Sequence, residues 1–146
     1  MTTFTRIFNL LTLLLIMTTG MWGQSAEKTL VKSFAVEKHQ TVVIDTRAPV
    51  EIREWEGELL RVQMTISLQQ GSEAVLKSLI SAGRYNLVMQ DGDNIRRISA
   101  PNLAREVQIG GKVLEDKVTL LIMSPRNITV TVVNQTAETI STGTSL

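Results

Sequence analysis

Between Phe34 and Val133 the apolar residues come at every second position, in short runs separated by turn-forming residues. That is the period of half-buried strands. Phe34 and Val36, then Val42 and Ile44, read as two short strands joined by a turn at Glu37-Lys38-His39-Gln40. Pro49, after Thr46-Arg47-Ala48, marks a corner or a strand start, because proline cannot donate into a ladder. The alternation of Val50 and Ile52 breaks at Trp55-Glu56-Gly57 and resumes through Leu60, Val62, Met64, Ile66 and Leu68. A three-residue loop with Gly57 left-handed would set Ile52 opposite Leu60, Val50 opposite Val62 and Glu51 opposite Arg61, so the spacing predicts a hairpin. A two-residue loop would put Ile52 against Arg61, which burial of one face disfavours.

The period then changes. Val75, Leu76, Leu79 and Ile80 form one stripe at helical spacing, Ser72 is placed as N-cap, and Gly83 suits the C′ position. The pattern predicts a helix from Glu73 to Ala82. Tyr85, Leu87 and Met89 alternate again, Asp91-Gly92-Asp93-Asn94 turns the chain, and Ile95 to Ala100 returns it. Pro101 ends that strand. Val107 and Ile109 read as a short strand stopped by Gly110-Gly111. Val118 to Met123 is apolar on both faces, which places it in the middle of the fold. Ser124-Pro125-Arg126-Asn127 turns into a last strand with Ile128, Val130 and Val132 on one face. The expected architecture is mainly β with one amphipathic helix at about 73–82, its antiparallel hairpins stacked as a β-roll, a short β-helix or a sandwich-like module.

The ends follow a different pattern. Arg6 precedes an apolar run from Ile7 to Met17, 11 residues long, against the roughly 20 that span a bilayer as a helix. Residues 1–23 therefore read as a secretory signal peptide cut near Gly23, with no stable membrane span after cleavage. Residues 24–133 form the β-rich domain, and 134–146, with little to bury, a flexible polar tail. The chain carries 15 basic and 14 acidic side chains, and removing the leader takes its single excess base, Arg6, with it. A neutral mature chain gives no general attraction to nucleic acid or anionic lipid. The chain has no cysteine, which excludes disulfides, thiolate metal sites and cysteine nucleophiles.

Candidate chemistry is sparse. Glu54, Glu56 and Glu58 form the densest acidic cluster, but a solvated turn offers no apolar pocket to raise one carboxyl against another. They define the alternative reading, an enzyme acting on cell-wall glycans. His39 is the sole histidine and falls in a turn, so neither zinc nor a Ser-His-Asp arrangement is expected. Asp91-Gly92-Asp93-Asn94 begins like a calcium loop and fails at its fifth position, Ile95. No metal and no cofactor is expected. Arg96 and Arg97, with Arg84 and Arg105 near in sequence, read either as a basic patch for an anionic polymer or, preferred here, as edge-strand charges that discourage aggregation. Trp55, a large aromatic at a turn, joins Arg96 and Arg97 as a ligand-binding candidate. Asn127-Ile128-Thr129 and Asn134-Gln135-Thr136 are glycosylation sequons only in a glycosylating host.

An exported leader is followed by "VVIDTRAPVEIREWEGELLRVQMTI", a helix ending "LKSLISAGRYNL", and "KVLEDKVTLLIMSPRNITVTV". This order resembles a family of bacterial adhesin domains of unknown function found in Bacteroidota-type envelope proteins. The V-x-I-x-x-W-x-G segment and the late strand, Ser-Pro turn and strand carry the resemblance, over about Phe34 to Val133. It implies stacked strands, export to the periplasm or cell surface, and no catalytic residues. The chain stops near Leu146, where relatives continue, which implies a head portion or an end covered by a partner. The expected function is a non-enzymatic cell-envelope or adhesin-like binding module for an envelope protein or polysaccharide. Self-assembly through edge strands, as a homo-oligomer or structural protein, is the further alternative.

Overall fold

The computed structural model describes residues 25–38, 40–92 and 94–133. The expected signal peptide, His39, Asp93 and the expected tail lie outside the described residues. The strands are β1 (Ala26–Ala35), β2 (Thr41–Asp45), β3 (Val50–Trp55), β4 (Leu59–Leu68), β5 (Val88–Asp91), β6 (Ile95–Ser99), β7 (Gln108–Ile109), β8 (Lys112–Val113), β9 (Asp116–Pro125) and β10 (Thr129–Val133). One α-helix among the described residues, α1 (Glu73–Ser81), and a 3₁₀ turn at Pro101–Ala104 complete them. The fold is mainly β with one helix, as the periodicity predicts.

Two four-stranded sheets, in the orders β1-β4-β9-β3 and β10-β2-β6-β5, share one apolar core. Phe34, Val62, Ile66, Leu120 and Ile122 enter it from the first sheet, Val42, Ile44 and Ile98 from the second, and Leu76 from α1. The period-2 pattern does this directly: β4 buries Leu60, Val62, Met64, Ile66 and Leu68 and turns Arg61, Gln63, Thr65 and Ser67 outward. The chain crosses between the sheets at β1–β2, β2–β3 and β9–β10, and also from β4 to β5 through α1 and from β6 to β9 through β7 and β8. Those crossings supply the long connections that parallel strands need, and β2 runs parallel to both β6 and β10, as β3 does to β9.

The predicted hairpin between β3 and β4 does not form. β9 lies between them, antiparallel to β4 and parallel to β3. The rows that result are Val50–Leu120–Met64 and Ile52–Ile122–Val62, so the faces are those expected while the neighbour is a third strand. Glu51 consequently stands beside Leu121 instead of Arg61, and pairs with Arg53 of its own strand at 2.6 Å. The cause is β9 itself: apolar on both sides, it gains more from two flanking strands than from one edge. Residues 56–58 cross two strand spacings, about 9–10 Å, and Gly57 is absent from the positive-φ glycines.

Local signals hold elsewhere. Ser72 Oγ accepts from the Val75 N–H at 3.3 Å. At the other end of α1, Gly83 (φ 77°) donates to Ile80 C=O and Arg84 to Leu79 C=O, closing a Schellman motif. β5 and β6 form the antiparallel pair expected around the 91–94 turn. Gly110 and Gly111, at φ 58° and 77°, make the two-residue turn joining β7 to β8.

Candidate functional site

The chain crossings leave clefts at both ends of the sandwich. The larger, about 740 Å³, opens where β2 and β6 end and β9 begins, between the 45–49 turn and the 3₁₀ turn. Asp45, Arg47, Ser99, Leu103, Asp116 and Lys117 are among its lining residues. Its two carboxylates are both engaged. Asp45 accepts from Arg97 Nη1 at 2.9 Å. Asp116 accepts from Arg84 Nε at 2.8 Å and Nη2 at 3.1 Å, and from the Tyr85 hydroxyl at 2.9 Å. Arg47 and Lys117 are exposed on the same cleft and form no ion pair among the described residues. The rim is thus cationic and the acids beneath it are neutralised.

Asp116 is the centre of a largely buried polar network. Arg84, 8% exposed, also donates from Nη1 to Arg105 C=O at 2.8 Å, and Asn102 Nδ2 donates to Gly83 C=O at 3.0 Å. The network ties the end of α1 to the 3₁₀ turn and the start of β9. The hydrogen bond to Asp116 raises the Arg84 guanidinium above its ordinary value, against the opposing effect of burial. Burial raises the Tyr85 hydroxyl well above 10.0, and its hydrogen bond to Asp116 adds to the rise. Burial alone would raise the Asp116 carboxyl, but the hydrogen bonds from Arg84 and Tyr85 outweigh it and hold the group below 3.8. Sequence spacing gave no sign of this set. The available clue is a tyrosine that must find a partner once buried, two residues beyond a helix-ending glycine.

The predicted site residues do not converge. Trp55 stands on the outward face of the first sheet, where its Nε1–H donates to Leu59 C=O at 3.1 Å and the Arg61 guanidinium stacks 4.5 Å from its ring centroid. It lines the second cleft, about 440 Å³, with Lys38, Glu56, Glu58 and Arg126. Arg96 and Arg97 line neither cleft. They also do not lie on an edge, because β6 runs between β2 and β5. Arg96 shares the face of buried Ile98, donates to Ala35 C=O of the first sheet and lies 2.9 Å from Asp91 Oδ1, with Nε off the hydrogen-bond axis. Arg97 points the other way, toward Asp45. Arg84, grouped with them by sequence, is buried and committed to Asp116, so no common basic patch forms. Glu54, Glu56 and Glu58 are all exposed, and Glu56 pairs with Arg126.

Among the described residues no group of three or more His, Asp or Glu side chains is placed to hold a metal ion, and no helix is long and apolar enough to cross a membrane. No family model, curated protein or solved structure matches this chain.

Proposed function

We propose that the protein is an exported, non-enzymatic binding module of the cell envelope, adhesin-like in character, that takes its ligand at the larger end cleft. The single observation supporting this is the arrangement of that cleft: Asp45 and Asp116 are each engaged by an arginine while Arg47 and Lys117 stay exposed. Such a rim favours an anionic partner, an acidic polysaccharide or an acidic surface of an envelope protein, and it offers no carboxylate for acid–base chemistry. The leader-like N-terminal pattern and the resemblance of residues 34–133 to envelope adhesin domains support the location in the periplasm or at the cell surface.

Cell fractionation of a tagged chain tests the location, and photocrosslinking from position 47, with position 126 at the opposite end as control, tests the cleft. Polygalacturonate serves as a defined acidic polysaccharide. Retention that weakens about tenfold in Arg47→Glu/Lys117→Glu supports the reading. Crosslinks from 126 alone, or a cytoplasmic protein with an intact N-terminus, would overturn it.

A further inference from the structure

The first sheet ends in β3, and the hydrogen-bond pattern shows which of its groups face outward. Leu120 N–H donates to Pro49 C=O at 2.9 Å. In a parallel ladder with Val50 beside Leu120, this assigns the backbone groups of residues 49, 51, 53 and 55 to β9. Val50, Ile52 and Glu54 therefore direct their N–H and C=O groups to the open edge, where no hydrogen bond reaches them among the described residues. Ile52 leaves 43% of its surface exposed although it stands on the core side of the strand.

β3 holds no proline, lysine or glycine, the commonest guards of an edge; of its three charges, Glu51 and Arg53, of opposite sign, share one face, and Glu54 stands on the other with Val50 and Ile52. A second copy laid antiparallel along this edge must pair even-numbered residues with even-numbered ones. Setting Ile52 opposite Ile52 of the copy places Val50 opposite Glu54, and Glu51 opposite Arg53 twice over. Moving the copy by two residues either way sets Glu51 against Glu51 or Arg53 against Arg53, which is repulsive. One register alone thus satisfies both the backbone and the charges, and it is its own mirror under a two-fold axis.

We infer that the protein self-associates as a symmetric dimer through β3, in the register that places Ile52 on the two-fold axis and Glu51 against Arg53 of the second copy. The two first sheets become one eight-stranded sheet, in the order β1-β4-β9-β3 and its reverse. A six-residue edge buries less than a standard protein interface, so the dimer is weak and forms at high protein concentration. The inference is independent of the ligand cleft, which lies at an end of the sandwich.

Sedimentation equilibrium of the full chain, expressed in an exporting host, tests it over a roughly hundredfold concentration range. The wild type is expected to shift from monomer to dimer. Arg53→Glu sets acid against acid in both pairs and weakens the dimer about tenfold or more, and Glu51→Arg/Arg53→Glu restores it. Ile52→Pro removes two edge N–H donors without touching the β9 ladder, so it abolishes the dimer while the thermal transition stays in place. A wild type that is monomeric throughout, a dimer indifferent to Arg53→Glu and Ile52→Pro, or a charge swap that fails to restore association would each overturn the inference.

Discussion

Arg84 grips both carboxylate oxygens of Asp116, Nε to Oδ2 at 2.8 Å and Nη2 to Oδ1 at 3.1 Å, with the two side chains only 8% and 11% exposed. Removing one partner leaves the other charged and buried, whereas removing both leaves a site that apolar side chains can fill. Asp116→Leu and Arg84→Met should each cost about 3–5 kcal/mol, and Arg84→Met/Asp116→Leu should recover most of that loss. Urea denaturation of the four proteins measures it, and a double variant as unstable as the sum of the singles would contradict the account.

The same pair sets the acid limb of stability. Asp116 has its carboxyl held below 3.8 in the fold, so its contribution is fully present above that value and is lost as the pH falls below it toward the lowered folded value. Asp116→Asn should flatten this part of the stability curve, measured as melting temperature between about pH 5 and 2.

Tyr85 sets the alkaline limb. Its hydroxyl is raised above 10.0 in the fold, so the neutral form is the one the native state prefers. Stability should hold up to about pH 10 and decline above it as unfolded tyrosine ionises first. Tyr85→Phe removes that decline and, by leaving Asp116 one donor short, lowers stability near neutrality by about 1–3 kcal/mol.

Gly57 lies under the Trp55 indole, and a Cβ placed there would come 2.2 Å from Cζ2 of the ring. Gly57→Ala should swing the indole off Arg61, losing the cation–π contact and about 1 kcal/mol. Indole fluorescence reports the swing, and an unchanged spectrum with an unchanged melting temperature would count against the stacked loop.

Gly83 has φ 77°, and a Cβ there would also stand 2.9 Å from Asn86 Nδ2. Gly83→Ala should therefore cost about 1–2 kcal/mol, more than the same change at Gly110, whose added Cβ meets nothing within 4 Å. Thermal melts of the two variants compare them.

These residues divide by how much of their role a linear reading reaches. Ser72 and Gly83 bound α1 through bonds within a few residues, so the sequence announces them. Gly110-Gly111 does the same for its two-residue turn. Trp55, a large aromatic at a turn, does line a cleft, yet its immediate partners, Leu59 and Arg61, make it a brace for the 56–58 loop. Arg96 and Arg97 are adjacent in the chain and opposed in the strand, as the period of a strand demands. The Arg84–Asp116 pair joins residues 32 apart, and no local rule connects them.

What the sequence determined by itself is the helix and most of the strands from β2 onward, with the inward face of the longer ones, because alternation, capping and turn chemistry act over a few residues; most of β1, which begins at Ala26 and shows little alternation, and the two-residue β8 fell outside that reading. Which strands are neighbours was decided only in three dimensions. Val50 and Ile52 could meet Val62 and Leu60 directly, or stand across β9 from Met64 and Val62, with the same faces buried. The outcome depended on giving a doubly apolar strand, Val118 to Met123, two neighbours instead of one. That choice opened the edge at β3, carried Asp116 to Arg84, and placed the cleft between chain segments that the linear order keeps far apart.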